Sequence, residues 1–214
     1  MKKHLIAAAI AMTACAAHAE GDYKPFVMFD AATEQDASHY DSDKGKSIAR
    51  EYIGANVTVG VKGPNKMEYS IKAGASQKDK DGTQSVSNNL ELKIKKSYAL
   101  TDSISPYVSL RLGEKLSSDG KHFTHYAVDG GVKIKLMDNL AFDTGLRYRN
   151  ALSTSRYHKA SGQEEYTYES IRAHGMLLFD LDKSNTIGLR YAQSTADNYE
   201  EERKGWRVHY QHNY

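Results

Sequence analysis

Two arginines one residue apart, Arg147 and Arg149 in the stretch LAFDTGLRYRNA (residues 140 to 151), share their parity with Asp143 and Gly145. Leu140, Phe142, Thr144, Leu146 and Tyr148 occupy the opposite parity. A guanidinium pairs bidentately with carboxylates and other oxyanions, so what these arginines can do depends on the side of the sheet they occupy. In a soluble sheet the apolar set forms the core and the arginines meet water. In a membrane barrel the apolar set meets lipid and the arginines line the interior. The same parity selects Arg111, Lys133, Arg172, Arg190 and Arg207 in neighbouring segments. With Arg147 and Arg149 these are the candidate lumen anion-binding residues.

Other reactive side chains form weaker patterns. His125 and His174 have inward parity, and Ser170 lies four residues before His174 on one strand. Lipid hydrolysis needs serine, histidine and an acid in mutual contact, whereas four residues of strand span roughly 13 Å. No catalytic residue is assigned. His39 and His158 fall in loops without metal-ligand spacing, and the acidic positions Asp36, Asp41, Asp43 and Glu200-Glu201-Glu202 read as solvated faces in preference to calcium sites, with divalent bridging to lipopolysaccharide as the alternative. No metal, cofactor, phosphate loop or nucleic-acid motif is expected.

The elements that would carry the arginines are strands, because period-2 alternation dominates the chain. A short first strand, about YKPFVMFDA, leads into the polar segment TEQDASHYDSDKGK. Ile53 to Val61 form a second strand that turns at Gly63-Pro64-Asn65-Lys66 into a third, Met67 to Ala75. Leu90 to Ile94, Val108 to Leu112 and Tyr126 to Leu136 give three more. The opening stretch is the seventh, and Ile171 to Leu181, Ile187 to Tyr191 and Trp206 to Tyr214 complete ten. Long polar loops (QKDKDGTQ, EKLSSDGKH, STSRYHKASGQEE) alternate with short turns, and both termini fall on the short-turn side. The expected fold is an all-β, up-and-down antiparallel transmembrane β-barrel of about ten strands, with twelve as the alternative.

The N-terminus, MKKHLIAAAIAMTACAAHAE, has Lys2 and Lys3, an apolar run and small residues at Ala17 and Ala19. This predicts a signal peptide over 1–19 and a barrel domain over 20–214. A competing lipoprotein-type site at Met12-Thr13-Ala14-Cys15 has methionine where a branched aliphatic is expected. Cleavage after Ala19 removes the single cysteine and hence any disulfide. It also turns 29 Lys+Arg against 27 Asp+Glu into 27 against 27, so net charge names no partner. No later run approaches the ~18 apolar residues of a membrane helix.

Four features favour the membrane barrel over a secreted barrel or sandwich. They are the export signal, the terminal Tyr214 in phase with Trp206, Val208 and Tyr210, strands beyond the usual ~5 to 6 residues, and tyrosines toward strand ends. Of these, Tyr69, Tyr98, Tyr126, Tyr148 and Tyr191 suit an aromatic girdle, whereas Tyr107 has inward parity. With the apolar set outward, thirteen cations face inward against Glu68, Glu91, Asp129, Asp143 and Asp180. Besides the seven candidates these cations are Arg50, Lys62, Lys72, Lys93, Lys95 and Lys135. Inward glycines, among them Gly60, Gly113, Gly131, Gly145 and Gly188, are expected to leave room in the lumen. The function read from this is an outer-membrane channel, not an enzyme, through which small anionic solutes diffuse. Two classes stand beside it: a non-conducting structural or adhesive barrel and a lipid-active hydrolase. The expected setting is a monomer among the lipid and lipopolysaccharide of a Gram-negative outer membrane.

The runs QSVSNNLELKIKKSYALTDSISPYVSLRLG and HYAVDGGVKIKLMDNLAFDTGLRYRNA resemble the central hairpins of the oligogalacturonate-specific porins, small monomeric channels for acidic oligosaccharides. The resemblance covers about residues 84 to 151. It implies that Arg147 and Arg149 stand on a lumen arginine track and that acidic oligosaccharides are among the solutes. Lys133 and Lys135 match that track in charge alone. The family implies twelve strands where this sequence shows ten, and ends more often on Phe than on Tyr.

Overall fold

Alternating side chains give a strand two chemically distinct faces, and ten such strands bury the polar one. In the computed structural model the described residues are 23–36, 39–41, 46–48, 51–80, 83–118, 122–152, 155–159, 162–166, 169–196 and 201–214. The expected signal peptide, Arg50 and the acidic positions Asp43, Asp197 and Glu200 lie outside them. The barrel strands are β1 (Lys24–Asp36), β2 (Glu51–Lys62), β3 (Met67–Lys80), β4 (Thr83–Ser97) and β5 (Ile104–Ser117). They continue as β6 (His122–Met137), β7 (Leu140–Ala151), β8 (Glu169–Asp180), β9 (Asn185–Ala196) and β10 (Glu201–Asn213). Each pairs antiparallel with its sequence neighbours, and β1 closes on β10 from Phe26↔Asn213 to Asp36↔Arg203. Closure leaves no barrel edge, the condition under which strands can cross a bilayer. The Tyr214 N–H donates to the Pro25 carbonyl at 3.0 Å, tying the chain's last residue to β1 at the short-turn end.

Burial is inverted relative to a soluble domain. Leu110 is 61% and Leu146 59% exposed, whereas Glu91 is 1% exposed and Asp129 2%. The outward band carries an aromatic row on each side. Tyr69, Tyr98, Tyr210 and Tyr214 stand on the short-turn side. Opposite them, Tyr126 and Tyr148 lie 6.3 Å apart and Tyr191 and Trp206 4.9 Å apart by ring centroid. Amphipathic rings at both borders of an apolar band are the girdles of an outer-membrane-type barrel.

Two expectations about element length are corrected. The first strand does not end near Ala31 but continues to Asp36, with Glu34 opposite both Gly205 and Tyr52. The long polar loops are largely hairpin: β3 and β4 remain paired as far as Lys80↔Thr83, and residues 155–159 pair with 162–166. Outside the apolar band no lipid enforces alternation, so the ladder continues through sequence with no hydrophobic period to reveal it.

Short turns are fixed locally. Pro64–Lys66 form one 3-10 turn, with Asn65 at φ 56° and Lys66 at φ 58°. Asp182 caps another turn, accepting the backbone N–H groups of Ser184 (2.7 Å) and Asn185 (2.9 Å).

Candidate functional site

The inward faces enclose a cavity of about 1370 Å³. Its wall runs from Lys24, Lys62 and Lys183 at the short-turn end to Tyr52, Lys78, Lys115 and Arg203 at the other, one lumen along the barrel. All seven candidates, Arg111, Lys133, Arg147, Arg149, Arg172, Arg190 and Arg207, line it.

The inward glycines do not simply widen this space. Each of five faces a ring directly across the ladder: Gly60 faces Phe26, Gly113 faces His125, Gly131 faces Tyr107, Gly145 faces His174 and Gly188 faces His209. A Cβ on Gly60 would stand 2.7 Å from the Phe26 ring, and one on Gly188 would stand 2.1 Å from that of His209. The missing side chains leave the room that these neighbouring rings take up, an arrangement that stabilises glycine in strands.

At mid-height the cations are tied to carboxylates across several strands. Glu91 of β4 meets Lys72 Nζ of β3 at 2.9 Å, Arg111 Nη1 of β5 at 2.6 Å and Arg149 Nη2 of β7 at 3.4 Å. Asp129 of β6 accepts from Arg111 Nε and Arg147 Nε, both at 2.5 Å, and from Ser109 Oγ at 2.7 Å. On the opposite wall Asp30 holds Arg207 Nη1 at 2.9 Å, and Glu34 pairs with Arg172 and approaches Arg207 Nη2 at 3.6 Å. Nearer the short turns Asp143 accepts from the Tyr107 hydroxyl at 2.9 Å and meets His174 Nε2 at 2.9 Å. Lys93 pairs with Glu68, and Lys95 Nζ sits 4.0 Å from the centre of the Tyr107 ring.

Arg190 differs: among the described residues it has no ion pair and no hydrogen bond, whereas Arg149, Arg172 and Arg207, whose buried Nε atoms are unpartnered like its own, each hold a carboxylate through a terminal nitrogen. Lys133 is also without an ion pair, but it is exposed near the rim.

Asp30 and Glu34 were not expected as lumen acids, because their stretch reads as the end of a short strand and a polar loop. Lys78, Lys115 and Arg203 also line the lumen from segments expected to be loop. Their common signal is parity carried beyond the apolar band. Lys135, expected inward, is corrected: the register shifts between Lys135 and Met137, and its ammonium pairs with Asp138 of the turn at 2.8 Å. Hydrogen bonding and charge from Lys135 hold the Asp138 carboxyl below its usual range. Ser170 and His174 are not brought together; the hydrogen-bond partners of the His174 ring are Asp143 and Tyr107. Among the described residues no cluster of His, Cys, Asp or Glu has the arrangement to hold a metal ion.

No family model matches the chain, and no curated protein matches it. Solved structures do. The β domain of the Bordetella autotransporter BrkA is 12% identical, with 91% of this chain and 99% of that chain covered and a TM-score of 0.54. Neisserial surface protein A is 13% identical over 91% of this chain and 100% of that chain, at 0.47. The KdgM porin is 13% identical over 87% of this chain and 99% of that chain, at 0.41. The BrkA likeness is one of fold, and at such identity it carries nothing about cargo or activity. The chain is a closed ten-stranded barrel of the outer-membrane type.

Proposed function

We propose that the chain, exported by a signal peptide over 1–19, sits as a monomer among the lipid and lipopolysaccharide of a Gram-negative outer membrane. There it conducts small anionic solutes, with acidic oligosaccharides among them on the family resemblance. The observation that carries this proposal is the charge of the wall: seventeen Lys and Arg against nine Asp and Glu line the cavity. A dry interior would not tolerate so many uncompensated cations. A lumen of about 1370 Å³ holds tens of waters, and in it a positive wall concentrates anions and repels cations.

The test is a planar bilayer holding the refolded protein across a potassium chloride gradient. A reversal potential displaced toward that of chloride is expected; absence of current in protein shown to be inserted overturns the channel.

One observation favours a second reading, a braced non-conducting barrel: Glu91 and Asp129 cross-link β3 through β7 with short ion pairs. That cluster covers one wall. The braced reading requires no current at any salt, so the same bilayer measurement separates the two.

A further inference from the structure

Arg190 stands on β9 between two small inward residues of its own strand, Gly188 and Ala192. Across the ladder it faces Arg207 of β10 on one side and Met176 of β8 on the other. Arg207 is occupied by Asp30 and Glu34, Arg172 by Glu34, and Arg147 by Asp129. Among the described residues no carboxylate reaches Arg190. The charged residue directly across the ladder from it, Arg207, is itself an arginine. Like charges facing each other across strands repel, and a half-buried guanidinium with no counter-charge is the costliest cation to leave empty.

We propose that Arg190, with Arg207 beside it, forms a discrete oxyanion-binding site in the lumen, a place for one carboxylate, sulfate or phosphate group, and that Arg190 determines anion specificity. The site deepens the channel reading and rests on it for its biological use, although oxyanion binding itself does not require current to flow. The planar guanidinium matches two oxygens of such a group, which chloride cannot offer. The other lumen arginines brace the wall and set the background field. Arg190 contributes a whole guanidinium that has no partner among the described residues and is free to bind a solute.

Sulfate is the probe. Wild-type protein and R190Q, both refolded in detergent, are heated in potassium sulfate and in potassium chloride at equal ionic strength. Sulfate is expected to raise the unfolding temperature of the wild type above its value in chloride and to lose that advantage in R190Q. R190K keeps the charge without the two-pronged donor and is expected to lose most of it too. In bilayers the sulfate concentration that halves the chloride current rises about tenfold in R190Q, the loss expected for one charge-assisted contact. Equal sulfate responses in wild type, R190Q and R190K overturn the site. A chloride-selective current with equal responses removes the site and leaves the channel; a sulfate response lost in R190Q without any current keeps the site and removes the channel.

Discussion

Arg111 of β5 and Arg147 of β7 share one carboxylate, that of Asp129 on the strand between them, each donating its Nε to a different oxygen at 2.5 Å. Neither guanidinium is in bulk water, with side-chain exposures of 15% and 8%. Replacing Asp129 with Asn removes the charge that both are arranged around while preserving size. Breaking such a pair costs about 3 kcal/mol or more where little water can compensate. D129N is therefore expected to unfold from lipid vesicles at clearly lower urea than the wild type, and to be more anion-selective where it does insert. Equal urea midpoints would mean that the two arginines are held by water and not by Asp129.

The inverted burial makes a sharper prediction on the other face. Leu146 projects from the outward band of β7 between Phe142 and Tyr148 and is 59% exposed. In water an arginine there is harmless. Within hydrocarbon it costs about 2–4 kcal/mol near the bilayer midplane. Leu146 stands one pleat inside the Tyr148 girdle, so L146R is expected to lose part of that, about 1–2 kcal/mol, in guanidinium titrations from vesicles, whereas a soluble barrel would register almost nothing.

Strand parity was legible in the sequence because lipid enforces it: Leu140, Phe142, Leu146 and Tyr148 have no other reason to alternate with Asp143, Arg147 and Arg149. Parity gave the ten strands and the inward placement of the seven candidate cations. It faded where no lipid touches the wall, which hid Asp30 and Glu34 in β1 and the hairpin extension at 155–166. It also says nothing about register between strands. That His209 lies over Gly188, or that Asp129 serves two arginines from opposite sides, follows from how neighbouring strands slide into place. Thirteen expected inward cations against five acids suggested many free charges. Asp30 and Glu34 occupy Arg172 and Arg207, and among the described residues Arg190 stands out as the half-buried lumen arginine without a partner.

The inward glycines differ in what a methyl group would strike. At Gly145 a Cβ falls 2.5 Å from the Gly130 carbonyl oxygen and 3.0 Å from the Gly131 Cα, backbone atoms that cannot yield. At Gly188 the obstacle is the His209 ring, a side chain that can turn away. G145A is expected to cost about 1–3 kcal/mol, as overpacking does, and G188A less. In a double-mutant cycle, H209A should abolish much of the G188A penalty. Additive effects of G188A and H209A would show that the ring does not rest on the glycine.

Acid dependence should be readable in the short turn between β8 and β9, which lies outside the apolar band. Asp182 Oδ2 accepts from Asn185 Nδ2 at 2.7 Å, while Oδ1 accepts the Ser184 and Asn185 backbone N–H groups. The Asn185 side chain, then the backbone donor of Ser184, hold the carboxyl below its usual value of 3.8. A carboxylate whose value is lowered by folding stabilises the protein fully above its unfolded value, and that contribution disappears as pH falls through the folded one. The difference in urea midpoint between wild type and D182A should therefore be constant from about pH 7 to pH 5 and shrink below about pH 4. A difference that persists unchanged at about pH 2 would assign the turn's stability to something other than this ionised cap. Asn185 offers an internal comparison, because its side-chain oxygen also accepts the Tyr210 hydroxyl at 2.5 Å and meets His212 Nδ1 at 2.8 Å, linking the turn to β10. N185A removes both the Asp182 donor and that link, so it should lower the midpoint at every pH, with only part of the loss vanishing in acid.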